Sequence, residues 1–208
     1  MSASEIVLDE LQRDALSELF NIGVGRAAAA LSQIVRKEVA LSAPDVMLVP
    51  AAQVRESLLG PGAHQFSTVS QYFSGPFDAE AVLVFPETNA LIIVGHMLGH
   101  QLTPDELSEY EQEAMCEVGN IILNACISVL ADTFHVEFNG DLPQHHYGDG
   151  NSICFNIETS QPYVLVLKVG LTIQEESIDG HLLYLLGVRS LQSLFDCIDS
   201  YLTENGLK

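Results

Sequence analysis

Glu18 and Asn21 stand three positions apart, as do Glu117 and Asn120, and each asparagine is followed after 22 intervening residues by a proline, Pro44 or Pro143. At residue frequencies of roughly 5%, a second copy has a chance on the order of 10⁻⁴ at one given start and about 2% across some two hundred starts. Duplication therefore explains the repeat better than coincidence. Neither copy carries an activated nucleophile, since Ser17 in the first has Cys116 at its place in the second and no base accompanies either. A carboxamide has no useful pKa and cannot be a general base, but it can accept from and donate to a water molecule. Fixing a water in line is enough for an electrophile whose leaving group needs little help. An acyl phosphate is one, because phosphoryl transfer depends mainly on positioning and charge neutralisation. The neighbouring glutamate can dock onto a cation of a partner. A lone Glu or Asn in such a place would be the solvated face of an amphipathic helix, and the second copy argues against that.

Helices must carry both pairs. From about 8 to 35, Leu11, Ala15, Leu19, Ile22, Ala30 and Ile34 recur at three- and four-residue steps or their multiples, which predicts a helix. On it Asp14, Ser17, Glu18, Asn21 and Gly25 share an arc of roughly 100°, with Leu16, Leu19, Phe20, Val24, Ala27 and Leu31 elsewhere. A second helix is expected from 107 to 131, with Glu113, Glu117, Asn120 and Asn124 on one arc and Met115, Val118, Ile122, Leu123, Cys126 and Leu130 opposite. Residues at i and i+3 project side by side, so each Glu/Asn pair is presented together.

Between and after these helices the chain reads as strands at 38–41, 65–73 and 80–85, an irregular stretch to about 61, and a helix at 88–98. The second half repeats that order: extended residues at 135–138, strands near 152–158, 163–173 and 181–186, and a helix at 191–202. Continuous apolar runs such as Val82 to Phe85 and Val164 to Leu167 predict strands covered on both faces or nearly so. No Gly/Ser-rich linker separates the halves. The expected fold is therefore an α/β, or α+β, sandwich. It is one domain of two homologous halves, 1–102 and 103–208, each helix-strand-strand-strand-helix, sharing a central sheet with pseudo-twofold symmetry.

The chain has 28 acidic and 8 basic residues in 208, a formal charge of −20. Binding to a phosphate backbone needs clustered Lys and Arg, so nucleic acid and anionic membrane are poor partners. The charge keeps the protein soluble or steers it toward a basic patch on a protein partner. The longest apolar stretches fall short of the roughly 20 residues of a membrane span, and the N-terminus lacks a signal-peptide pattern. No membrane insertion and a cytoplasmic location are expected. Cys116, Cys126, Cys154 and Cys197 form no C-x-x-C pair, so reduced thiols are the default. His96 and His100 have i, i+4 spacing, but Met97 stands where a metalloprotease helix carries its glutamate. His145 and His146 fall in an expected loop suited to a partner contact. Gly23 and Gly25 lack the preceding strand and third glycine of a dinucleotide fingerprint.

The pattern resembles the CheC/CheX/FliY chemotaxis phosphatases, whose signature is Asp or Ser, three residues, Glu, two residues, Asn, 22 residues, Pro. Asp14, Glu18, Asn21 and Pro44 fit fully. Glu113, Glu117, Asn120 and Pro143 fit at three positions, with Glu113 in place of Asp or Ser. The resemblance extends to length, internal duplication and the string from Asn21 to Gly25. It implies hydrolysis of the phospho-aspartate of a CheY-like response regulator. Glu18 and Glu117 would pair with the regulator's lysine, and Asn21 and Asn120 would orient the attacking water. Mg²⁺ would belong to the regulator, leaving this chain without a cofactor or metal of its own. A CheD-like deamidase is a further partner within such systems, a monomer is expected, and a non-catalytic adaptor of the flagellar switch is the alternative.

Overall fold

In the computed structural model, residues 7–42, 45–54, 65–99 and 104–208 are described, with 104–109, 155 and 157–160 by backbone alone. Helix α1 (Glu10–Val35) starts at a capping box. The backbone N–H of Gln12 donates to Asp9 Oδ1 at 2.8 Å, and the Asp9 N–H donates to Gln12 Oε1 at 3.1 Å, which satisfies two otherwise free donors at the helix start. The helix stops at Arg36, whose φ of 54° is left-handed. Strands β1 (Val39–Leu41) and β2 (Val46–Pro50) follow, then a 3-10 turn (Ala51–Gln53), β3 (Gln65–Ser74), β4 (Ala79–Pro86) and α2 (Glu87–Leu98). The second half runs α3 (Pro104–Phe134), β5 (Asn139–Gly140), β6 (Gln144–Asp149), α4 (Gly150–Ser160), β7 (Tyr163–Ile173), β8 (Glu176–Leu186) and α5 (Val188–Glu204).

The strands form one eight-stranded sheet in the order β1-β7-β8-β4-β3-β5, with β2 also on β7 and β6 also on β3. Every pairing among the described residues is antiparallel, so the class is α+β. The first two strands of each half are added to the other half's hairpin: β1 and β2 to β7, β5 and β6 to β3. At the centre, Leu83 of β4 is paired with Leu182 of β8. These two residues are 99 positions apart, as Asn21 and Asn120 are, so the motif repeat and the sheet register report one pseudo-twofold axis.

Alternation along the strands divides the core between two faces. One face carries Val69, Phe73, Leu83, Phe85, Leu167 and Leu182 under the buried sides of α1, α2, α3 and α5. The other carries Val82, Val84, Val164, Val166, Leu183 and Leu185, packed with Ala51 and Val54 after β2 and Cys154 of α4. Helix α3 runs through the larger core, where Met115, Val118, Ile122, Leu123 and Cys126 have no exposed surface. Its segment Tyr110–Phe134 is the one helix among the described residues long and apolar enough to cross a membrane, and 56% of the apolar window lies buried inside the protein. Its hydropathy is that of a core helix.

Several expectations are corrected. Residues 152–158 are helical, not extended, because Asp149 caps α4, accepting from the N–H groups of Asn151 and Ser152 and from the Ser152 hydroxyl. Strands β2 and β6 arise in stretches expected to be irregular, so among the described residues each half contributes four strands where three were expected. His145 and His146 therefore lie in a strand. On α1, Leu16, Leu19, Phe20, Val24, Ala27 and Leu31 are buried, whereas Leu11, Ile22 and Ile34 are exposed.

Candidate functional site

On α1, Asp14 and Glu18 are exposed and Asn21 is half-buried, while Leu16, Leu19, Phe20 and Val24 anchor the helix from behind. On α3, Glu113 and Glu117 are exposed and Asn120 is half-buried, above Met115, Val118 and Leu123. In each pair the carboxylate is free for a partner and the carboxamide sits deeper, at the base of the same helical face. Asp14 lies 3.8 Å from Arg13 Nε, both well exposed, a contact of little energetic weight.

The proline of the second copy is tied to its helix. Cys116, between Glu113 and Glu117, directs its thiol at the Pro143 carbonyl oxygen at 3.7 Å, and Leu142 beside it is 85% exposed. Pro44 lies outside the described residues.

The two asparagines are held differently. Asn124, one turn beyond Asn120, donates from Nδ2 to Asn120 Oδ1 at 2.8 Å and to the Asn120 carbonyl at 2.7 Å. It also reaches Gln71 Oε1 at 3.2 Å, so its two N–H groups are shared among three acceptors, and Gln71 Nε2 donates to the Asp141 carbonyl at 2.8 Å. Gln71, on β3, is buried. At the first site Asn21 Oδ1 is buried with no hydrogen-bond partner among the described residues, and the residue one turn on is Gly25. The sequence offered Asn124 on the right arc, but nothing in it linked β3 to the site.

A second polar group borders α3. His145 Nε2 lies 2.8 Å from the buried Ser67 hydroxyl and 3.7 Å from Glu111 Oε1. Burial pushes the His145 imidazole down, helped by His146, and pushes the Glu111 carboxyl up, helped by Glu87. Both shifts favour the neutral form. Because the same Nε2 faces hydroxyl and carboxylate, and Ser67 has no exposed surface, this is not a nucleophile–base–orienter relay. Tyr147 donates to Glu87 Oε1 at 2.5 Å, and that bond pushes its hydroxyl up to about 12.

His96 bridges Lys37 Nζ (2.8 Å from Nδ1) and Glu176 Oε2 (2.7 Å from Nε2). Through these two contacts the ring ties α1's end to the start of β8. His100 lies outside the described residues. Among the described residues no group of three His, Cys, Asp or Glu side chains could hold a metal ion.

Residues 11–48, which span Asp14, Glu18, Asn21 and Pro44, match the CheC-like family. The chain is 25% identical over 129 residues to the flagellar motor switch phosphatase FliY of Bacillus subtilis, covering 61% of this chain and 33% of FliY. It is 21% identical over 140 residues to the CheY-P phosphatase CheC of the same organism, covering 66% of each. The match thus spans a third of FliY's length and just under two thirds of CheC's. In fold it is similar to Thermotoga maritima FliY, with a TM-score of 0.78 at 19% identity over 94% of this chain and 100% of that one. It is also similar to the FliM middle domain of Vibrio alginolyticus, with a TM-score of 0.62 at 15% identity over 89% and 99%. A third likeness is to the Borrelia burgdorferi CheX–CheY–BeF3–Mg complex, with a TM-score of 0.54 at 16% identity over 82% of this chain and 96% of that one. The resemblance drawn from the Glu-x-x-Asn pattern is thereby met, and its named relatives FliY and CheC are phosphatases.

Proposed function

We propose, with the resemblance to CheC-like proteins as the premise, that this protein hydrolyses the phospho-aspartate of a CheY-like response regulator in the cytoplasm. The observation that carries the reading is the repeated arrangement of an exposed glutamate over a half-buried asparagine, Glu18/Asn21 on α1 and Glu117/Asn120 on α3. The carboxylate docks on the regulator's lysine, a charge-assisted contact that fixes the register of approach. The carboxamide then enters beside the phosphoryl group and holds a water in line with the phosphorus, so that catalysis is positioning without a protein-borne base. Mg²⁺ on the regulator neutralises the phosphoryl oxygens, and this chain supplies no cofactor. Asp14, Pro44, Glu113 and Pro143 support the two sites, and a CheD-like deamidase is a further partner in the same scheme. The chain acts as a monomer, since both sites lie within it.

The likeness to the FliM middle domain favours a second reading, a binding module of the flagellar switch. Decay of a CheY-like protein charged with acetyl phosphate separates the two. Replacing Asn21 and Asn120 together by alanine should slow the assisted decay on the order of 10² to 10³, the loss typical of a transition-state contact. Unchanged decay in that double variant leaves only the adaptor.

A further inference from the structure

The two asparagine sites share a motif but not a support. Asn124 occupies the position four residues beyond Asn120, on the same helical face, and its amide nitrogen lies 2.8 Å from Asn120 Oδ1 and 2.7 Å from the Asn120 carbonyl. It is itself fixed from β3, through Gln71 Oε1 at 3.2 Å, and Gln71 is fixed by the Asp141 carbonyl at 2.8 Å. A chain of hydrogen bonds thus runs from the loop preceding Pro143, through the sheet, to the carboxamide of Asn120. The first site has Gly25 where the second has Asn124. Among the described residues a Cβ at Gly25 would meet nothing within 4 Å, and Asn21 Oδ1 is buried without a partner.

We propose that Asn124 is a positioning residue for Asn120, setting the orientation of its carboxamide before any regulator arrives, and that the Asn21 site lacks this device. The inference rests on the proposed role of the asparagines as water-orienting groups. A carbonyl oxygen has two acceptor sites. With Asn124 donating to one, the plane of the Asn120 amide is fixed, and the remaining acceptor site and the Nδ2 protons face a defined direction. A carboxamide free to turn about χ2 presents oxygen and nitrogen alternately to the same water, and only one of those presentations leaves the water's lone pair aimed at phosphorus. Preorganised groups lose no time or entropy in reorienting at the moment of reaction. The Asn120 site is therefore set in advance, while the Asn21 site is set by contact with the regulator.

Single-site rates provide the test, measured as decay of a CheY-like regulator charged with acetyl phosphate. In an Asn21→Ala background, where only the second site remains, Asn124→Ala is expected to lower kcat about 5- to 20-fold with KM unchanged, the effect of one or two hydrogen bonds felt in the transition state. Asn124→Asp, of the same size but without the donor, is expected to lose at least as much, because its carboxylate attracts the Asn120 amide nitrogen and turns the carboxamide over. The loss should vanish once Asn120 is alanine, the non-additivity expected of residues acting as one unit. A wild-type kcat for Asn124→Asp, or the same loss with Asn120 already removed, overturns the proposal in favour of a packing role. If the Asn21→Ala, Asn120→Ala double variant decays the phosphoprotein at full rate, it is the catalytic reading that fails. The positioning claim then stands or falls on the order parameter of the Asn120 side-chain amide, which should drop on Asn124→Ala and overturns the proposal if it does not.

Discussion

Gly23 of α1 faces Cys126 of α3 so closely that a Cβ built on the glycine would stand 2.8 Å from Cys126 Cα and 3.2 Å from its Sγ. The two helices that carry the Glu/Asn pairs meet at this point, with backbone against backbone. Burial there pushes the Cys126 thiol up to about 12, so it stays protonated and serves as packing. Two residues on, a Cβ at Gly25 would meet nothing within 4 Å.

These neighbours should respond in opposite ways to the same substitution. Gly23→Ala forces the crossing apart, an overpacking cost of about 1–3 kcal/mol that outweighs the gain of about 1 kcal/mol in helix propensity. Gly25→Ala gains the propensity with no clash and should stabilise by up to about 1 kcal/mol. Urea unfolding of the two variants gives the comparison, and midpoints that shift in the same direction contradict this account of the crossing.

Glu18 and Glu117 are exposed, which suits a docking role more than a chemical one. Glu18→Gln and Glu117→Gln should each raise KM for the charged regulator severalfold while leaving kcat nearly as it was. The difference from wild type should shrink as salt is raised, because an exposed ion pair is screened. A fall in kcat at saturating regulator would move these carboxylates from docking into the chemical step.

His145 provides a pH dependence with a definite sign. Burial, with His146 beside it, holds its pKa below the usual 6.5, so the folded state disfavours the protonated ring. Its contribution to stability is complete above about pH 6.5 and is lost as the pH falls from there through the lowered folded value. Glu111, pushed above 4.5 by burial, works in the other sense: its contribution is complete below about 4.5 and is lost as the pH rises through its raised value. Comparing wild type with His145→Gln isolates the first effect. The gap in unfolding free energy should be constant above pH 6.5 and narrow below it, and a gap that widens on acidification would count against the burial of a neutral ring.

Much of the fold was legible because local rules agree with the tertiary outcome. The pattern on α1 predicts a helix over 8–35, and α1 spans Glu10–Val35 because its capping box and one continuous apolar face act together. Strand β7 occupies the residues expected, 163–173: Val164 to Leu167 are buried on both faces and leave a continuous apolar signal, and from Lys168 on the alternation of Val169, Leu171 and Ile173 with exposed or half-buried residues carries it further. The stretch at 152–158 misleads because its alternation of apolar and polar residues mimics a strand, while Asp149 at the N-cap and the packing of Cys154 against the sheet favour a helix.

By itself the sequence determined the two Glu-x-x-Asn pairs, the helical faces that expose them and the duplication that relates them, because all three are matters of spacing along one chain. Only the tertiary structure decided that β1 and β2 join β7, that β5 and β6 join β3, and that Leu83 meets Leu182 on the axis. Only it showed that Asn120 is held by Asn124, itself held by Gln71, while Asn21 Oδ1 has no partner among the described residues. Contacts between a helix and a strand some fifty residues away depend on where the sheet places them, and a spacing rule that treats the two copies alike cannot tell a braced asparagine from an unbraced one.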